Sequence, residues 1–470
     1  MSIKAFRTLC LASAAAGVLL PAAALAQQTP KQSTEARLSA LEQAMSRMQA
    51  ELDAARAENA QLKTEAAGLR TQTHTISTDV IALKTAPPPP PPPVPEGFRN
   101  GATTVKIGGF LKTVATFSRW QDGDAAANTL GRDFYLPQAI PVGGTREGTD
   151  SDISAKQTRL WMNFDTAVAG HTLKGYLETD FQTAAGSQGS ERTTNGYNLA
   201  LRRAYVQYDR LTIGQDWTTF QNVAALPEST DFVGPTEGTV FVRQPLIRYS
   251  LPLDKGTVLH LAAENAETAT TTLGSAALVE NDDDRMPDLT ARLHHSGAFG
   301  EMSLAGVLRQ LSIDNGKTHD DTVGYGLSAA GRFVLDADKG HDLRVMATWG
   351  SGIGRYVGLN FAPDAVFDPT AKRLKRVDTL AALAAFKTVW APGLRSTLMA
   401  GYQDASYSGD YAPTVLGAVN DRAWSVAGNL FWSPVKGLDL GVEYRHGERK
   451  LVSGAKGRLD RLEFAAKYNF

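Results

Sequence analysis

The side chains with chemistry to offer are basic ones that recur at every second residue, opposite apolar neighbours. In the stretch VKIGGFLKTVATF, Val105, Ile107, Leu111, Ala115 and Phe117 share one phase, and Lys106, Lys112 and Thr116 share the other. Reading each such stretch by its apolar phase puts Lys112, Arg159, Lys174, Arg203, Arg248, Arg292, Arg309, Arg332 and Arg344 on the polar face. Arg243 stands close to Arg248, but Pro245 follows it, and the kink or bulge expected there leaves its direction open. A guanidinium is a planar fork that matches a carboxylate or phosphate. A row of them lining a passage replaces part of an anion's hydration while leaving exit possible. Glu178, Asp180 and Glu443 lie on the same face, so ion pairing within the wall is the competing use for some of these arginines. No nucleophile motif or metal-ligand spacing accompanies them; His294, His295 and His446 read as polar lumen or loop residues. No catalytic residue, metal or cofactor is expected. The formal net charge of −1 says little about partners, and nucleic acid is not among those expected.

Residues in period two belong to strands, and the texture holds from 103 to 470, the segment that carries all seven Trp and all thirteen Tyr. About sixteen candidate strands follow, with connections that alternate in length. Short turns fall at 165–170, 209–210, 252–256, 296–300, 336–342, 391–393 and 433–437, and longer segments such as 119–154 and 354–375 lie between them. Tight turns at one end and long loops at the other are the pattern of an antiparallel outer-membrane barrel. The mean hydropathy of −0.22 is compatible with one, because lipid-facing and lumen-facing residues alternate. Phe164, Tyr208, Tyr249, Phe333, Trp390 and Trp432 sit near the short turns, as an interfacial girdle does. A basic residue turned to lipid at mid-bilayer costs about 2 to 4 kcal/mol, which supports an inward assignment for the arginines. At the end of the chain Leu462, Phe464, Ala466, Tyr468 and Phe470 share a face. This last strand is expected to pair with the first, since an open edge in lipid is not viable.

Ahead of the barrel the composition changes. Lys4 and Arg7, an apolar run from Leu9 to Leu20 and Ala24-Leu25-Ala26 read as a signal peptide over 1–26, which would carry away the only cysteine, Cys10. Residues 27–86 read as a coiled coil: Leu38, Met45, Leu52, Asn59, Ala66, Thr73 and Val80 occupy a positions, and Leu41, Met48, Ala55, Leu62, Leu69, Ile76 and Leu83 occupy d. Arg37 to Glu42, Glu51 to Arg56, Glu58 to Lys63 and Glu65 to Arg70 are oppositely charged g-to-e pairs, which favours association between chains. A linker follows over 87–102, with prolines at every position from 87 to 93, as expected of a polyproline II spacer. An even strand count puts both ends of the barrel on the short-turn side, which places the coiled coil in the periplasm.

The stretches KIGGFLKTVATFS, GQDW, DFVGPTEGTVFVRQPLIRYS, GSGIGRYVG, NLFWSPVKGLDLGVEYRHGER and the terminal FAAKYNF, in this order, resemble the DcaP-like trimeric outer-membrane porins. The resemblance implies a sixteen-stranded barrel in the outer membrane of a Gram-negative bacterium, assembled as a homotrimer. It also implies passive uptake of small organic anions such as dicarboxylates. Outer-membrane lipid and the barrel-assembly machinery, which reads such C-terminal strands, are expected partners; peptidoglycan is a further candidate for the coiled coil. By motif, 218–238 is the third long loop, which in such porins folds inward and narrows the pore; an ordinary external loop is the alternative. Arg159, Arg203 and Arg248, on the second, fourth and sixth strands, would then lie nearest the narrowing. Val114 departs from the expected pattern, where a polar or acidic residue is commoner, which puts in doubt a site on the first strand. A phosphate-selective or general porin, or a tether between membrane and cell wall with incidental pore activity, remain as alternative functions.

Overall fold

The structure, a computed structural model, describes residues 34–85, 97–182, 194–336, 338, 340–411 and 413–470. The expected signal peptide and the proline run lie outside these residues, as do 27–33 and 86 of the expected coiled coil. The chain divides into two units, 1–94 and 95–470.

The first unit contains one helix, α1 (Thr34–Thr85), of 52 residues. Ala, Leu, Glu, Gln and Arg dominate it, all good helix formers, and no proline interrupts it. The hydroxyls of Thr64, Thr71 and Thr73 donate back to the carbonyls four residues earlier at 2.9, 3.0 and 2.8 Å, so these weaker helix formers stay within the helical ladder. Leu38, Leu41, Met45, Met48, Leu52, Leu62 and Leu69 form an exposed stripe along it.

The second unit is a closed antiparallel barrel of sixteen strands, the expected number. In chain order these are β1 (Thr103–Trp120), β2 (Gly148–Ser154 continued by Arg159–Val168), β3 (His171–Asp180), β4 (Ala200–Tyr208), β5 (Leu211–Trp217), β6 (Arg243–Asp254), β7 (Thr257–Glu264) and β8 (Asp288–Gly297). The second half comprises β9 (Gly300–Asp314), β10 (His319–Val334), β11 (Asp342–Ser351), β12 (Asp378–Ala391), β13 (Leu394–Ser406), β14 (Asn420–Val435), β15 (Leu438–Leu451) and β16 (Lys456–Asn469). Each strand pairs with its neighbour in sequence, and β16 returns to β1 with Leu462 opposite Phe117 and Phe464 opposite Ala115. Every expected short turn is present, from Asp209-Arg210 between β4 and β5 to Lys436-Gly437 between β14 and β15.

The closure has one feature beyond the expectation. The backbones of Phe470 and Gly109 exchange hydrogen bonds at 3.1 and 3.2 Å, and there β16 ends partway along β1. A short strand, Phe98–Asn100, pairs with Thr103–Val105 and occupies part of the edge that remains. Both ends of the barrel domain therefore satisfy the same seam.

Alternation along the strands separates the two faces. Ile107, Leu111 and Phe117 of β1 are exposed on the outside, whereas Lys112, Thr116 and Ser118 are buried within. Tyr208, Tyr249, Trp390 and Trp432 point outward near the short turns, with Phe164 and Phe333 partly covered, so the expected girdle is present. On the long-loop side, Ala269–Thr272, Val279–Glu280, Ala365–Asp368 and Arg373–Arg376 form a separate four-stranded sheet from the fourth and sixth loops.

Candidate functional site: the third loop and the basic wall

The third loop, 218–242, lies inside the barrel. Thr218, Thr219, Gln221, Thr236, Glu237, Thr239 and Val240 are all fully buried, which an external loop would not be. Its path follows from its tethers. Thr219 N–H donates to Glu264 on β7 at 2.7 Å, and Asn222 Nδ2 donates to Ser303 Oγ on β9 at 3.0 Å. Farther round, Leu226 O accepts from Arg344 on β11, and Glu228 pairs with Arg395 on β13 at 2.6 Å and with Lys387 on β12 at 3.2 Å. Ser229 Oγ donates to Glu443 on β15 at 2.7 Å, and Lys112 Nζ on β1 donates to Thr230 O at 2.6 Å. The loop thus leans on the wall from β7 round to β1. A Cβ on Gly238 would stand 2.3 Å from Ala382 O, so glycine is what allows the loop backbone to lie against β12.

Two loop carboxylates sit in opposite surroundings. Burial works against ionisation of Glu228, yet the Arg395 hydrogen bond and the Lys387 charge hold its carboxyl below the usual range. Glu237 is fully buried, and burial pushes its carboxyl up despite Ser425 and Arg445 nearby. Among the described residues neither Glu237 oxygen has a hydrogen-bond donor in bonding geometry.

Opposite the loop, β2 to β6 carry a cluster of five guanidinium groups and three carboxylates. Arg202 reaches Glu178 at 2.7 Å and Asp180 at 2.6 Å; Arg159 reaches Asp180 at 3.4 Å. Arg203 reaches Asp216 at 2.6 Å, and Arg248 shares that aspartate. Arg243 lies over the Trp217 ring at 5.2 Å, and no ion pair engages it among the described residues. Aromatic faces back most of these groups: Arg203 stacks on Tyr176 at 4.5 Å, while Arg159 and Arg202 lie over Phe232 of the third loop at 5.9 and 5.2 Å. Cations outnumber carboxylates here. Arg159, Arg203 and Arg248 also keep 22, 21 and 13% of their side chains exposed, so they remain within reach of a solute.

The sequence-based assignment divides against this geometry. Lys112, Arg159, Arg203, Arg248, Arg292 and Arg309 all face inward as expected. The irregularity expected at Pro245 is absent: β5 and β6 pair in continuous register through Gln215 and Pro245, which leaves Arg243 in the phase of Ile247 and Tyr249 rather than that of Arg248, and at the start of β6 its guanidinium rests on the Trp217 ring. Arg159, Arg203, Arg243 and Arg248 come together, and Arg292 lies beside them with its guanidinium on Gln221 O. Lys112 is held apart by Gln157 at 2.6 Å and by the loop carbonyl of Thr230. Arg309 does not join the group. Its side chain is sealed at 0% exposure between Asp364 at 2.8 Å and Asp288 at 3.4 Å, a contact with the sixth loop. For Arg309, ion pairing within the wall is the better description.

Period-two reading missed Arg202, which alternation assigns to lipid. A register shift between Glu178 and Thr179 against β4 lets Arg202 and Arg203 both face inward. Arg395 and Glu443 also lie in the inward phase of β13 and β15, and only the path of the third loop shows their partners, Glu228 and Ser229.

Residues 130–470 match the family profile described as DcaP outer membrane protein. The crystal structure of the outer membrane channel DcaP of Acinetobacter baumannii superposes with a TM-score of 0.65 at 26% identity, covering 80% of this chain and 99% of that one. OmpT of Vibrio cholerae, in a trimer form, superposes with a TM-score of 0.50 at 11% identity over 78% of this chain and 100% of its own, a likeness of fold alone. No curated protein matches the sequence.

Proposed function

The chain belongs to the DcaP outer membrane protein family, and from that premise we propose that it is a porin through which small organic anions, dicarboxylates foremost, diffuse passively. The observation that carries this reading is the unbalanced wall of β2 to β6: five guanidinium groups against three carboxylates, with three of the five accessible beside a loop that fills part of the lumen. Farther toward the short turns Arg332 and Arg344 share the single Asp342 at 3.0 and 2.7 Å and retain 33 and 16% exposure, which extends the positive lining beyond the loop. A dianion suits such a lining because each carboxylate can engage a different fork while water still solvates its flanks.

The exposed a/d stripe of α1 and its complementary g and e charges support a coiled coil between copies of the chain in the periplasm, and the family likeness supports three copies. Peptidoglycan is the further partner proposed for this helix.

The test is single-channel recording with added solutes. A C4 dicarboxylate is expected to produce concentration-dependent current interruptions at lower concentration than its monocarboxylate analogue or inorganic phosphate. Stronger interruption by phosphate would replace the dicarboxylate reading with a phosphate-selective one.

A further inference from the structure

The outer face of the barrel carries a concavity unrelated to the lumen. Across β7 to β10, cross-strand partners fall in rows, and one row runs Leu261, Ala291, Gly306, Leu327. Ala291 and Gly306 are direct partners, so two neighbouring strands present almost no side chain between Leu261 and Leu327. With strands about 4.8 Å apart this leaves a trough roughly 10 to 15 Å wide. Its volume is about 690 Å³, and Leu308, Tyr325 and Trp349 complete its sides. Leu261, Leu308, Leu327 and Trp349 are about half exposed, on the face that meets lipid.

The trough lies toward the long loops, since Tyr325 is near the start of β10 and Trp349 near the end of β11. At that end a charge appears. Arg376, exposed on the outer sheet of the sixth loop, donates to Val323 O at 2.7 Å, and its guanidinium lies over the Tyr325 ring at 5.6 Å. No carboxylate pairs with it among the described residues. Arg285, 71% exposed at the fourth loop, is paired with Asp314 at 3.6 Å, so Arg376 is the cation that the trough mouth offers.

We propose that this trough is a binding site for a phosphorylated, multiply acylated glycolipid of the outer leaflet, with acyl chains over Ala291 and Gly306 and a headgroup phosphate on Arg376. An apolar trough alone would accept any acyl chain. The cation on the ring at its loop-side mouth selects a lipid whose anionic group stands directly above its chains. The guanidinium is already positioned by the carbonyl and the ring, so little ordering is lost when a phosphate arrives.

The experiment is native mass spectrometry of the full chain purified in mild detergent, titrated with lipid A and separately with phosphatidylethanolamine. Wild type is expected to retain lipid A in preference. Arg376→Glu should lower lipid A retention by about fivefold or more, the contribution of one basic residue at an anionic surface, and leave phosphatidylethanolamine unchanged. Ala291→Trp should fill the trough and reduce both. Heat-modifiable mobility shows that each variant is folded, and Gly306→Leu stands in for Ala291→Trp if the latter fails to fold. Equal retention of the two lipids by wild type, or unchanged lipid A retention in Arg376→Glu, overturns the proposal. Loss of the oligomer in Ala291→Trp also overturns it, by showing that the trough faces another copy of the chain.

Discussion

Replacing both Arg243 and Arg292 by glutamine isolates the charge that the wall does not neutralise internally. Neither forms an ion pair among the described residues: Arg243 rests on Trp217, and Arg292 is held by the Gln221 carbonyl. An anion passing about 6 Å from one such group gains roughly 0.7 kcal/mol even at the dielectric constant of water. Loss of both therefore removes about 1.4 kcal/mol, close to a tenfold fall in the anion-to-cation permeability ratio. The assay is the zero-current potential across a planar bilayer at low ionic strength, where screening is weakest. Arg309→Gln supplies the control. Its removal leaves Asp288 and Asp364 without their shared guanidinium in a site closed to solutes, so selectivity should hold while stability falls by about 3 to 5 kcal/mol. A selectivity change in Arg309→Gln that equals or exceeds that of the double variant would refute the division between unpaired and ion-paired arginines.

Glu237→Gln should stabilise the folded channel by about 1 to 3 kcal/mol at pH 8, read from its heat-modifiability midpoint, because it removes a carboxyl whose ionisation burial opposes. Since burial raises the Glu237 carboxyl, its contribution in wild type is complete below the usual carboxyl range and is lost as pH rises through the raised value; the variant should lack that loss. Arg202→Met should cost about 3 to 5 kcal/mol by leaving Glu178 and Asp180 without their shared guanidinium; an unchanged midpoint would count against it. Deleting Phe470 removes the final pair of seam hydrogen bonds with Gly109 and should reduce the amount of heat-modifiable barrel in the outer membrane. Removing residues up to Ala86 should leave a trimer in detergent, as measured by mass, if contacts between barrels dominate assembly; a monomer would assign trimerisation to α1.

The barrel was readable because its rules are local. Period two, turn residues such as Asp209-Arg210 and the aromatic phase of the last strand each act within a few residues, and all three recur in the structure. The inward bend of the third loop was expected from the family motif over 218–238, although Glu228, Ser229 and Glu237 gave no sign of which wall residues they would meet. The site was less readable because its deciding features break alternation or join distant segments. The register shift at Glu178 hides Arg202 from any phase count, and the short break at 155–158 divides β2 just before Arg159. Arg309 and Asp364 are 55 residues apart, so their pairing depends on where the sixth loop lies.

The most direct measurement of the central claim is the zero-current potential of the purified wild-type channel across a tenfold potassium chloride gradient. The account predicts the sign of an anion-preferring pore, because basic groups on β2 to β6, β10 and β11 exceed the carboxylates that pair with them. A potential of the opposite sign, that of a cation-preferring pore, would contradict it.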